Sequence, residues 1–126
     1  MFTKEQRSSF PYWFAHWCAF QMTALNLHVW KFKYLFHDIE KPFLKLILRD
    51  YKKVQKWHRS HNNHHLEYKN TGKIDWQALI IDWECSRFTK EQSPRTAREE
   101  MENYSKSWIY EWLKDNMEPE LNKLGL

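Results

Sequence analysis

Trp76-Gln77-Ala78-Leu79-Ile80-Ile81-Asp82-Trp83-Glu84-Cys85 is the run that decides the fold. Seven of its ten residues are apolar and Asp75 stands before it as a cap, so it reads as a helix from Trp76 to about Phe88, buried on nearly all sides. Such a helix needs neighbours, and composition restricts what they can be. With 2 glycines and 4 prolines in 126 residues, the chain lacks the turn residues of a sandwich or barrel and cannot build a Gly-rich phosphate loop. The expectation is an all-α fold of about five helices, a single compact domain over residues 1–126. Asp82, in the middle of the apolar run, is then screened from water and requires either a partner or a proton.

Mean hydropathy is only −0.86, yet 8 Trp, 6 Tyr and 8 Phe supply enough bulky surface for a core, which argues against disorder. A net charge of +4 suits phosphate-bearing partners without demanding nucleic acid. Cys18 and Cys85 both sit in apolar surroundings and make no disulfide framework, which fits a reducing cytoplasm. The most apolar stretch, Tyr12 to Phe20, is interrupted by His16 and closes at Gln21. It is too short to span a bilayer and no basic leader with a cleavage site precedes it, so neither a membrane partner nor a signal peptide is expected.

Thr3 with Gln6 reads as a capping box and Pro11 as a first-turn residue, which places a helix between Lys4 and Val29 with His16 in its most apolar part. A second helical segment over Lys31 to His37 runs into Asp38, and Pro42 marks a break. From Phe43 onward Leu44, Ile47, Leu48, Tyr51, Val54, His58, His61 and His65 share one side of a helix. Lys45, Arg49, Lys52, Lys53, Lys56 and Arg59 line the opposite side, either as a solvated face or as a surface for a phosphate-rich partner. Asn62-Asn63 can end this helix through local side-chain hydrogen bonds, which leaves open whether His64 or His65 faces inward. Lys69 to Lys73 reads as a loop. Ser93-Pro94 opens a last, C-terminal packing helix over residues 94–116, amphipathic through Met101, Tyr104, Trp108 and Trp112, ending near Asn116 before Pro119. Phe-Thr-Lys-Glu-Gln at residues 2–6 and again at 88–92 is too short for a structural repeat and reads as two similar helix caps.

Five of the 7 histidines (His37, His58, His61, His64, His65) fall within 29 residues beside Asp38 and Glu67. Imidazole with carboxylate is the ligand set of Mn, Fe, Co, Ni or Zn, whereas a Mg or Ca site would show mostly oxygen. Paired cysteines for a zinc finger are missing, and so is the HExxH spacing.

In order, the chain carries a lone helical histidine (His16), the pair His37-Asp38 with Lys41, the cluster from His61 to His65, and a late aspartate (Asp82). That order resembles the HD-domain superfamily of metal-dependent phosphohydrolases, all-helical proteins named for an adjacent His-Asp pair. His37-Asp38-Ile39-Glu40-Lys41 is similar to the HD-x-x-K version found in cyclic dinucleotide phosphodiesterases. His16, His37-Asp38, Lys41, Phe43, the run from Trp57-His58 to His64-His65-x-Glu67-Tyr68, and Asp82-Trp83 most resemble a small bacterial and phage family built on this pattern, over about residues 16–83. Glu40 replaces the small residue expected before the lysine, and a GYP-type signature is missing, so the likeness does not carry a cyclic dinucleotide substrate with it.

The resemblance implies a divalent transition metal held by His16, His37, Asp38 and Asp82, with positions left for water and a substrate oxygen. Asp38 could bridge to a second ion carried by His61 and either His64 or His65, and Lys41 would place a positive charge on the phosphate. His28 has no counterpart and is taken as structural; His58 is open between a ligand, a donor to a ligand and a solvated residue; Trp83 and Tyr68 read as core or pocket wall. The expected function is metal-dependent hydrolysis of a small phosphate ester, a nucleotide or cyclic nucleotide. One rival is a non-enzymatic, metal-stabilised binding or inhibitor protein, phage-encoded, that sequesters a nucleotide or blocks a host protein. The other is a nucleic-acid binder working through the basic stripe and exposed tryptophans, whose binding would survive chelation.

Overall fold

The computed structural model describes residues 9–70, 72–89 and 95–126, and over these the chain is all-α with no strand. The caps expected at Thr3–Gln6 and Ser93-Pro94, and most of both Phe-Thr-Lys-Glu-Gln strings, lie outside the described residues. Helix α1 (Phe10–Asn26) starts where the Ser9 side chain accepts from the Tyr12 N–H at 3.3 Å, with Pro11 in the first turn where a missing N–H costs nothing. A 3₁₀ turn over Phe32–Phe36 follows and ends at His37. Helix α2 (Glu40–Leu48) includes Pro42 in its first turn, so this proline opens a helix instead of breaking one.

The long helix expected from Phe43 into the histidines is two helices. Arg49 takes a left-handed φ of 54° after α2, and Asp50 caps α3 (Tyr51–His61) by accepting from the Lys52 N–H at 3.0 Å. The aspartate cap competes with helix continuation, and the break rotates the two halves of the apolar seam apart. Val54 and His58 are buried, whereas Ile47 and Leu46 are about three-quarters exposed, at 74% and 75%.

Helix α4 (Trp76–Ser86) is capped by Asp75, whose Oδ1 accepts from the Ala78 N–H at 3.1 Å while Oδ2 takes Lys33 Nζ. It is the central element. Ala78, Ile81 and Cys85 pack against Phe20, Ala24 and Tyr34, and Ile80 packs on the other side against Ala97, Met101, Leu113, Met117 and Leu121. Cys18 is half-buried and Cys85 is buried, its Sγ donating to the Asp82 carbonyl at 3.2 Å.

The last segment also divides. Thr96 and Glu99 form a capping box for α5 (Ala97–Glu102), turns through Tyr104 and Ser107 interrupt it, and α6 (Tyr110–Lys123) carries Met117 and Leu121 into the core. Pro119 does not end α6; it lies exposed between those buried residues, where the carbonyl it leaves unpaired can be hydrated. Trp108 is 89% exposed, so it belongs to no packing face, and with Trp112 it lies under the Lys69 ammonium. Among the described residues no helix is long and apolar enough to cross a membrane.

Candidate metal centre

Asp38 is the hub. Its backbone sits in the left-handed region at φ 56°, which aspartate tolerates better than most residues, and its carbonyl accepts from Trp13 Nε1 at 2.8 Å and from the Lys41 N–H at 3.1 Å. The turn thus clamps the 2% exposed carboxylate between helices. Oδ2 faces His37 Nε2 at 3.3 Å, His16 Nε2 at 3.5 Å and Lys41 Nζ at 3.4 Å. Oδ1 faces His58 Nε2 at 2.8 Å and His64 Nε2 at 3.0 Å.

The first group comprises His16, His37, Asp38 and Asp82, all buried, with ligand atoms within 4.8 Å of one another. Asp82 Oδ1 lies 2.9 Å from His16 Nε2 and 3.1 Å from His37 Nε2. The partner its buried position demands is therefore a pair of imidazoles, and no Lys or Arg pairs with it among the described residues. His37 is oriented by stacking on the fully buried Phe20 ring, centroids 3.7 Å apart. Burial pushes the His37 imidazole down to about 4 against the pull of Asp38, so it stays neutral with a lone pair to donate. Burial alone would raise both carboxylates. His37, Lys41 and the hydrogen bonds of His58 and His64 hold Asp38 well below the usual range, and His16 and His37 do the same for Asp82.

The second group comprises Asp38, His58, His64 and His65. His58, fully buried in the last turns of α3, is hydrogen-bonded through Nδ1 to Glu40 Oε1. Asn62 Nδ2 donates to the same Glu40 oxygen at 2.9 Å and to the His58 carbonyl at 2.8 Å, which closes the helix. The loop after it is fixed to α4 by the Asp75 N–H donating to Asn63 O at 2.8 Å. Both His64 and His65 turn inward, so the choice between them dissolves. Burial and the neighbouring His64 push His65 down to about 2, and its buried Nε2 has no hydrogen-bond partner among the described residues.

His61 is not brought into either group. It is exposed, its ring stacks on Trp57 at 4.2 Å and its Nδ1 contacts the Trp57 carbonyl at 2.8 Å. The two histidines are neighbours on α3, but His58 faces Asp38 at 2.8 Å while His61 is held on Trp57. His58 takes the place expected of His61, and Glu40, read from sequence as a mere departure, is the carboxylate that orients it. Lys41 is beside Asp38 with a side chain 17% exposed; burial alone would lower its pKa, but Asp38 and nearby oxygens raise it, so the ammonium is retained. His28 is exposed in a left-handed turn after α1, and Glu67 is exposed beside Arg59. Trp83 stacks on Tyr104 as pocket wall.

Imidazoles converging on carboxylates, two of them (His37 and His65) kept neutral by burial, with a buried ring nitrogen left without a hydrogen-bond partner among the described residues, fit a divalent cation better than they fit a self-contained polar core. His/Asp groups of this kind could hold a metal ion. No family model matches this chain, and no curated protein or solved structure matches it.

Proposed function

We propose that the protein is a metal-dependent phosphohydrolase acting on a phosphate ester of a nucleotide. The observation that carries this reading is Asp38, which turns one oxygen to each histidine group and so is disposed to bridge two ions. His16, His37 and Asp82 would hold one ion, and His58, His64 and His65 the other, which gives a transition metal of the Mn, Fe, Co, Ni or Zn kind. A metal held there would supply a water of lowered pKa, from 15.7 towards about 7, and would withdraw charge from phosphate oxygens.

The chain's own residues set up the rest. Glu40 fixes the tautomer of His58 so that Nε2, not Nδ1, faces the centre. Lys41, kept protonated by Asp38, has no lone pair for a metal and donates to a phosphate oxygen where charge accumulates. In the net reaction a water oxygen bonds to phosphorus, the ester P–O bond breaks, and the proton goes to the leaving oxygen.

The test is turnover of a panel of nucleotides and other phosphate esters by metal-loaded protein, with and without chelator. The expected result is hydrolysis that chelator abolishes and that Lys41→Ala cuts by about 10²-fold while metal content is kept. Metal-loaded protein that hydrolyses nothing in the panel would favour the metal-stabilised binding protein instead.

A further inference from the structure

Helix α2 buries none of its side chains, although five of its nine residues are Phe, Leu or Ile. Phe43, Leu46 and Ile47 follow one another at three- and four-residue steps, share one face of the helix, and are 64%, 75% and 74% exposed. A helix this short is marginal alone and draws its stability from packing an apolar face, so the bare face asks for another surface. The bare region continues beyond α2. Phe32 and Phe36 before it, and Phe10 and Phe14 on α1, are each more than half exposed. Helix α1 is tied alongside by Trp13 and Trp17, which donate to the Asp38 and Leu35 carbonyls at 2.8 and 3.0 Å. Thirteen of the sixteen exposed large apolar side chains among the described residues precede residue 58, and a concentration of that kind marks an interaction surface.

The distribution of charge says what kind of surface. From residue 8 to residue 30 the sequence has no Asp, Glu, Lys or Arg; from 31 to 59 nine Lys and Arg stand against three Asp and Glu; from 60 to 126 nine stand against twelve. The modest net charge therefore hides a strongly basic segment, which is the one that carries the bare apolar side chains. Its three acids do little to offset it: Asp38 is buried in the cluster, Glu40 is bonded to His58, and Asp50 caps α3. Arg49, Lys52, Lys53 and Lys56 are all exposed. A second copy docking by the same face would set these cations against one another. A nucleic acid would leave Ile39, Leu46 and Ile47 unused, since aliphatic side chains offer no ring for a base to stack on.

We propose that this face, α2 with Phe32, Phe36 and the exposed side of α1, lies on an anionic lipid surface. Its apolar side chains enter the boundary between headgroups and acyl chains, the cations of α3 meet the lipid phosphates, and the acidic C-terminal half is held away from the bilayer. No described helix is long and apolar enough to cross a membrane, and lying on one requires neither property. The inference uses none of the metal chemistry and stands apart from it.

Sedimentation of the full chain with lipid vesicles tests this without metal or turnover. The protein should bind vesicles containing about 30% phosphatidylglycerol at about 0.1 M salt, and should bind pure phosphatidylcholine vesicles about tenfold more weakly or worse. Leu46→Ser/Ile47→Ser should cut binding to the anionic vesicles by about tenfold or more, because two of the inserting side chains are gone. Lys52→Gln/Lys53→Gln/Lys56→Gln should cut it by about 10²-fold, at roughly fivefold per cation, and flatten its salt dependence. All five side chains are exposed, so circular dichroism and melting point should stay at wild-type values in both variants. Wild-type protein that binds no anionic vesicle overturns the proposal, whether it then proves to be a dimer that Leu46→Ser/Ile47→Ser dissociates or a binder of single-stranded oligonucleotide. Vesicle binding that survives the double variant unchanged overturns it as well.

Discussion

The two histidine groups share Asp38 but are held in opposite ways. His16, His37 and Asp82 come from distant parts of the chain and ride on α1, α4 and the turn between α1 and α2, elements whose packing through Phe20, Ala24, Ala78, Ile81 and Cys85 is one of the two cores. His58, His64 and His65 are close in sequence and depend on where α3 stops, with polar bonds from Glu40 and Asn62 holding them. A site set by core packing inherits the core's rigidity; one set by a helix end and a short loop relies on a few hydrogen bonds, each worth about 1 kcal/mol net. The first group should therefore fail all at once when a ligand is lost, and the second by degrees.

The largest effect is expected from Asp82→Asn. The amide keeps the shape but cannot donate a charged oxygen, so the first group should lose its ion, turnover should be abolished, and the metal-free stability gap to wild type should be small compared with the gap when metal is present. Elemental analysis with thermal melts at matched metal concentration checks this, and full metal content with wild-type turnover would remove Asp82 from the site.

A smaller effect should follow from loosening the second group. Glu40→Gln weakens the bond that fixes His58, and metal affinity at that group should drop by about tenfold, the scale seen when such an orienting partner is lost. His61→Ala should leave both metal content and stability unchanged within about 0.5 kcal/mol, because the side chain is exposed and points away. Equal losses in the two variants, measured by competition with a metal-binding dye, would restore His61 to the ligand set.

The smallest and most gradual effect is on pH. In metal-free protein His37, lowered to about 4 by burial, and His65, lowered to about 2, stay neutral where the unfolded chain would protonate them near 6.5. The folded state then binds fewer protons, so stability falls as pH drops from 6.5, by about 1.4 kcal/mol per pH unit for a fully buried group such as His37. Asp38 and Asp82, both lowered, add stability above the usual carboxylate pKa that is lost only as pH falls through their depressed values. His58 acts the other way: burial would lower it, but Asp38 and Glu40 raise it, so its contribution is complete below 6.5 and fades as pH rises through its folded pKa. Melting curves of metal-free protein should show a net fall between pH 7 and pH 5; a rise would mean that His58 outweighs the two neutral rings.

The same contrast explains what could be read from sequence. The buried character of α4 was legible because seven apolar residues in ten leave no polar face, and Asp82 stood out against them. His37-Asp38 and Lys41 were legible as an ordered set. The place of His58 in the cluster was not, since His58, His61 and His65 fall on one side of an unbroken helix, and the break at Arg49–Asp50 and the stop at Asn62 decide which of them turns inward. Asp50 is itself a cap signal, overridden in the reading by the apolar periodicity around it. The helix running through Pro119 was hidden for a similar reason: proline propensity is local, whereas Met117 and Leu121 are drawn into the core by α4.

On the proposed reading Asp38 joins two metal sites in one buried cluster. Metal-free protein loaded with Mn²⁺, desalted and measured by elemental analysis and electron paramagnetic resonance at neutral pH tests it most directly. Two ions per chain with a spin-coupled signal, lost in Asp38→Asn, is the predicted result. Protein that retains no metal after loading, or an Asp38→Asn variant that keeps both ions and their coupling, would contradict it.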